Sequence, residues 1–178
     1  MIFGDLQYDD ADEAWTGSVP LRLFAAFFGA TRSDGDPEEQ ERRRAGLLPL
    51  VIRDPSGEGP SHAQEVAYRH LRDTEADVFR AALDALFESY KEYTASSLSA
   101  VWGWVGRLLG VKPIESPEAL DACFTGVEIT REHTGGVAYV LFDVSCDWEP
   151  EHGMMVVYHK DRPATWTTPE ALELESDT

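Results

Sequence analysis

The densest run of chemistry-capable side chains in this 178-residue chain is Asp147-Trp148-Glu149-Pro150-Glu151-His152-Gly153-Met154, close behind Asp143. Three readings of it stay open. As structure, it is a tight connection between two strands: Pro150 fixes φ, Gly153 supplies a conformation closed to other residues, and Trp148 packs over the sheet. As a metal or hydrolytic centre, Asp147, Glu149, Glu151 and His152 would serve as ligands or acid/base groups, with Asp143, Glu151 and His152 as the metal candidates. Adjacent Glu151 and His152 point to opposite sides of an extended chain and converge only if the turn curls. The spacings HExxH and DxDxDG are both absent, and His62, His70, His133 and His159 are scattered; only His133 and His159 are expected near one sheet end. As a recognition surface, an exposed Trp148 flanked by Asp147, Glu149, Glu151 and His152 would offer an aromatic anchor in an acidic rim, suited to a basic protein.

Other chemistries find less support. There is no GxSxG, no GxxxxGK[ST] and no GxGxxG. Cys123 and Cys146 form no CxxC pair, and each reads as a buried packing thiol. No catalytic residue and no cofactor is assigned. Fifteen Lys+Arg against thirty-three Asp+Glu give a net charge of −18. That field disfavours nucleic acid and anionic membrane as partners and favours basic ones, although it also keeps a protein in solution. The only basic run, Arg42-Arg43-Arg44, follows Glu38, Glu39 and Glu41 and reads as a solvated, self-compensated stretch. The N-terminus carries no basic, apolar leader and no segment is long enough to span a bilayer, so the expected location is cytoplasmic.

The elements that must position these groups follow from periodicity. Residues 2–8 and 15–23 read as strands joined by the acidic segment Asp9 to Glu13, a hairpin; Val19, Leu21 and Leu23 alternate with Pro20 and Arg22. Residues 31–46 read as a charged inserted loop, with at most one helical turn after Pro37. Leu47 to Ile52 resumes strand character, and Pro49 makes it an edge strand or a strand start. Ser61-x-x-Gln64 is a capping-box signature for a helix running to about Arg72 that buries Val66, Ala67 and Leu71. Val78, Phe79, Ala82, Leu83, Leu86, Phe87, Tyr90 and Tyr93 form the strongest helical stripe, and Leu98 to Leu109 marks a further helix closed by Gly110. Trp104 lies off that last stripe, whereas Trp102 lies on it; the aromatic group as a whole reads as core. Ser116-Pro117-Glu118 starts a short helix through Ala122. Strands then follow at 127–131, 137–144 and 154–159, with Gly135-Gly136 as a hairpin turn. Strands, then helices, then strands give an α+β class: an antiparallel sheet built from N- and C-terminal strands with a central group of helices on one face. One domain is expected over 1–172, followed by a frayed polar tail at 173–178.

An ordered series of segments resembles a bacterial domain-of-unknown-function family. Its marks are Phe3-Gly4-Asp5-Leu6-Gln7-Tyr8-Asp9, Trp15-Thr16-Gly17, Pro60-Ser61-His62-Ala63-Gln64 through Tyr68, and Phe142-Asp143 running to Trp148 and Glu151-His152-Gly153. The chain departs from the pattern in an extra residue between Asp143 and Trp148, in Met155 where glycine is common, and in the charged segment 31–44. The resemblance implies an α+β fold, a bacterial cytosolic origin and no known activity. It also implies an immunity-type role beside a toxin gene. Two further functions stay open: a metal-dependent hydrolase using the Asp147–His152 loop, and an acidic mimic of nucleic acid. The leading expectation is an acidic protein-binding module that neutralises a basic toxin or effector.

Overall fold

A computed structural model describes residues 2–27, 36–95, 114–149 and 153–177. The strands are β1 (Gln7–Asp9), β2 (Ala14–Pro20), β3 (Leu47–Arg53), β4 (Ala122–Thr134), β5 (Val137–Cys146), β6 (Met154–His159) and β7 (Arg162–Thr167). They form one seven-stranded sheet in sequence order. Every neighbouring pair is antiparallel except β3 and β4, which run parallel. The exception has a topological cause. A parallel neighbour needs a long crossover, and α3 (His62–Asp73) and α4 (Glu75–Ala95) supply it. The class is therefore α+β with a mostly antiparallel sheet, corrected by one parallel step where the N- and C-terminal halves meet.

Local chemistry explains the elements that match expectation. Gly135 and Gly136 have φ of +59° and +73°, the left-handed pair that closes a two-residue hairpin between β4 and β5. At the start of α3, the Ser61 hydroxyl accepts from the Gln64 backbone amide, and the Gln64 side-chain Oε1 accepts from the Ser61 amide at 2.8 Å. The Gln64 side chain does more than cap. It is buried, and its Nε2 donates to the carbonyls of Arg53 at 2.8 Å and Thr130 at 3.0 Å, so it ties the helix to the ends of β3 and β4.

Strand alternation sorts the residues. Val127, Ile129, Val140, Phe142, Val144 and Cys146 join the main core, whereas Glu128, Leu141 and Asp143 point the other way. In that core Phe24 stacks on Phe142 at 4.6 Å and meets Phe124 edge-on at 4.8 Å, with Phe79 completing the group. β5 is buried on both sides over most of its length, as a central strand should be: Leu141 is 1% exposed although it lies opposite Glu128.

Several expectations need correction. The second strand stops at Pro20, and Arg22–Ala26 forms a one-turn helix, α1, which leaves Leu23 exposed. The Leu21 amide bonds the Gly46 carbonyl at 3.0 Å, drawing the chain off the sheet there. Residues 37–44, expected as loop, form α2 (Pro37–Arg44), capped by the Asp36 side chain and with proline in its first turn. α2 is not wholly solvated: the Arg43 side chain is buried and donates to Glu39 and to the Phe124 carbonyl, at 2.8 Å and 2.7 Å from Nη2. That carbonyl lies beside the register shift between Phe124 and Gly126. β3 is interior rather than an edge, and Pro49 is tolerated because the β3–β4 ladder begins only at Leu50. The expected helix 116–122 shrinks to a 3-10 turn, Pro117–Ala119, before β4. Val66 is only partly buried, and Tyr93 is exposed.

Where it is described, the tail makes contacts with the β4–β5 turn and with β7. The Asp177 amide donates to the His133 carbonyl at 3.0 Å, and the Gly135 amide donates to the Asp177 carboxylate at 2.7 Å. Arg162 pairs with Glu175 at 2.8 Å. The expected helix 98–109, Trp102 and Trp104 lie outside the described residues. No helix among the described residues is long and apolar enough to cross a membrane.

Candidate functional site

The segment singled out by its chemistry begins where β5 leaves the sheet. Alternation continues past Cys146, so Trp148 turns inward while Asp147 is exposed. Trp148 is 7% exposed. It therefore packs inward, as the structural reading of this segment expected, and does not stand on the surface as the aromatic anchor of the recognition reading. Its Nε1 donates to the Ser89 hydroxyl of α4 at 3.1 Å, and its ring meets Tyr90 edge-on at 5.6 Å. The Ser89 hydroxyl donates to the Leu86 carbonyl at 2.9 Å and lies 3.4 Å from the Met154 sulfur. A polar residue on the buried side of an apolar helix is thus explained: it receives the indole N–H, which would otherwise be buried without a partner.

The Asp147 amide reaches the Asp121 carbonyl at 3.4 Å, one step beyond the β4–β5 pair Ala122 and Cys146. Glu149 is half-buried and faces a cavity of about 270 Å³ between α4, the start of β6 and the end of β7. Around it stand Glu92 and Tyr93 from α4, Trp148 and Glu149 from the connection, Met154 from β6 and Trp166 from β7. The structure thus brings Trp148 and Glu149 together with four residues that the sequence did not single out for a site: Ser89, Glu92, Trp166 and Thr168. A signal for Glu92 existed, since Asp84, Glu88 and Glu92 recur every four residues. Glu151 and His152 lie outside the described residues.

Asp143 sits apart, on the side of the sheet turned away from the main core. Although the residue keeps solvent contact, its carboxyl is set into the sheet surface over Gly126, where an added Cβ would come within 3.0 Å of Oδ2. Burial pushes its pKa up and the charge of Glu128 adds to this, while Arg53 opposes both. Arg53 is itself engaged with Glu128 at 2.8 Å.

The histidines divide by role. His159 is buried, with Nε2 3.1 Å from the Thr134 carbonyl and 3.2 Å from that of Val137. His70 stacks on Tyr158 and hydrogen-bonds its hydroxyl at 2.9 Å. His62 and His133 line a second cavity with Arg131 and Asp177. No group of three or more His, Cys, Asp or Glu placed to hold a metal occurs among the described residues. Cys123 and Cys146 are both buried.

The most strongly perturbed acid with a clear cause is Asp54, at the end of β3. Burial would raise its pKa, but the hydroxyl of Ser56, the indole of Trp15 and the amides of Gly59 and Ser56 outweigh that and hold it at about 2. Trp15 Nε1 and the Gly59 amide both reach Oδ2, at 3.0 Å and 2.8 Å. The Tyr8 hydroxyl donates to the Asp54 carbonyl at 3.1 Å. This network fastens the acidic β1–β2 hairpin to the turn before α3, and it is structural: every donor comes from the turn or the hairpin.

Comparison with known proteins adds one relation. No curated protein and no solved structure matches the chain. Its residues 2–170 do match a family described as a domain of unknown function, DUF6985, and the chain belongs to that family.

Proposed function

We propose that this protein is an acidic docking domain that binds a basic protein, most concretely an immunity-type protein that neutralises a cationic toxin or effector in the cytoplasm. In this reading α3 and α4 cover one face of the sheet, and the outer side of α4 meets the partner. The carrying observation is the row Asp77, Asp84, Glu88 and Glu92, all exposed along α4. At a rise of 1.5 Å per residue the row extends over roughly 22 Å. Glu75 and Asp77 at the N-terminal end complement the helix dipole. Glu88 and Glu92 do the opposite: they sit in the C-terminal half, and the last turn holds no basic residue. Like charges four residues apart cost a helix about 0.2–0.5 kcal/mol per pair. Lys91 pairs with Glu88 and relieves only part of this. Acids that the helix itself does not favour are accounted for by a cationic surface brought against them.

A net charge of −18 adds long-range steering, so the association is expected to be fast and to weaken as salt rises. Calorimetric titration with a dodecapeptide of alternating lysine and arginine tests the reading. Binding that weakens steeply between low and physiological salt supports it; no heat at either salt defeats it. The same row also favours mimicry of nucleic acid, in which the basic partner is a DNA-binding protein. Competition between this chain and duplex DNA for such a partner separates the two.

A further inference from the structure

We infer that the cavity at the C-terminal end of α4 is a receptor for a single cationic side chain, an arginine or lysine projecting from the basic partner. The inference rests on the docking reading above and gives it a point of specificity.

The cavity combines two features that an acidic surface alone lacks. Its walls are aromatic and soft: Tyr93, Trp148, Trp166 and the thioether of Met154. Its lining also includes two carboxylates, Glu92, the last member of the α4 acid row, and Glu149. A cation set against indole and phenol faces gains from their quadrupoles, and a carboxylate beside those rings completes its neutralisation. An apolar side chain would fill the same walls but would bring Glu92 out of water without compensation. The volume of about 270 Å³ falls just below that of sites for drug-sized ligands and suits one long side chain.

The walls are also held in place. Trp148 cannot swing outward without losing its bond to Ser89 and its edge-on contact with Tyr90. Ser89 in turn is fixed by the Leu86 carbonyl. Trp166 is held in β7 opposite Val156, a fully buried residue of β6. Such preorganisation lowers the ordering cost of taking up a flexible arginine or lysine stem. Placed at the end of the acid row, the cavity would also set which way round a basic helix or strand lies along α4.

The test uses two probes on the full chain. In the first, n-butylguanidinium is titrated into ¹⁵N-labelled protein and the indole N–H resonances of Trp148 and Trp166 are followed. Saturable shifts with n-butylguanidinium, and none with the uncharged n-pentanol, are expected. Equal shifts with both would make the cavity merely apolar and overturn the inference. In the second, the Lys/Arg dodecapeptide is titrated into Trp166→Leu and Glu92→Gln. The Trp166→Leu change leaves the net charge untouched, and its affinity is expected to fall about tenfold, the effect of one well-desolvated cation–π contact. If Trp166→Leu fails to fold, the n-butylguanidinium titration carries the test. Peptide affinity unchanged in a folded Trp166→Leu would refute the receptor while leaving the docking reading intact; affinity unchanged in Glu92→Gln as well would count against both. Failure of both probes with the unaltered protein would sink the two together.

Discussion

Replacing Asp54 by asparagine keeps the shape of the side chain and removes its charge, which isolates the network at the base of the β1–β2 hairpin. Asparagine can keep its oxygen towards Trp15 Nε1 and the Gly59 amide while turning its NH₂ to the Ser56 hydroxyl, which can accept. The bonds to Trp15 and Gly59 then change from charge-assisted to neutral, and the one from the Ser56 amide is lost to solvent. Charge-assisted bonds are about twice as strong as neutral ones, so the loss sums to about 2 kcal/mol. For a chain of this length that corresponds to a fall in melting temperature of roughly 4–8 °C. The deficit must also depend on pH. The folded pKa of about 2 lies below the ordinary 3.8, so the stabilisation is fully present above about pH 4 and is lost as pH falls towards 2. Urea unfolding followed by tryptophan fluorescence should show the full deficit at about pH 7 and roughly half of it at about pH 3. An asparagine variant as stable as the parent, or a deficit that does not change with pH, would refute the role given to this carboxylate.

Three other perturbations probe the frame around the cavity. Gln64→Leu leaves the Ser61 amide and the carbonyls of Arg53 and Thr130 without their partner and should cost about 3 kcal/mol in chemical denaturation; a loss below about 1 kcal/mol would show that water takes over these bonds. Trp148→Phe keeps an aromatic ring against Tyr90 but drops the donation to Ser89, with an expected cost of about 1–2 kcal/mol by the same measurement, and no cost would contradict the anchoring of the indole. Truncation after Leu172 removes the carboxylate that the Gly135 amide reaches, so hydrogen exchange at that amide should accelerate by about tenfold or more, whereas unchanged protection would mean the tail contributes nothing there.

What could be read in advance was local. Gly135-Gly136, the Ser61–Gln64 box and the apolar stripe of α4 each declare their structure within a few residues. The misread segments depend on distant partners. Three apolar residues alternating through Leu23 cannot distinguish a strand from a strand that ends at Pro20 and bends where Leu21 meets Gly46. α2 shows no apolar stripe because it docks through the buried side chain of Arg43, whose partner carbonyl is 81 residues away. The parallel step between β3 and β4 leaves no mark in either strand.

At the candidate site the inward Trp148 was legible, and the structural reading already packed it over the sheet. Period-two alternation from Cys146 puts Trp148 inside, even though Asp147 and Glu149 suggest a surface. The serine at 89 interrupts an apolar stripe because it has an indole to receive. Likewise, Leu172 and Leu174, half-buried on either side of exposed Glu173, set the alternation of the tail.

In the proposed docking mode the acids of α4, rather than overall negative charge, receive the basic partner. Two variants separate these causes: Asp84→Lys/Glu88→Lys/Glu92→Lys on α4, and Asp9→Lys/Asp10→Lys/Asp12→Lys at the β1–β2 hairpin. Each changes the net charge by the same amount, so any effect of charge alone must be equal in both. The measurement is the affinity of the Lys/Arg dodecapeptide for each at physiological salt. A loss of at least about a hundredfold is expected for the α4 variant and only a few-fold for the hairpin variant. Equal losses in the two would contradict it.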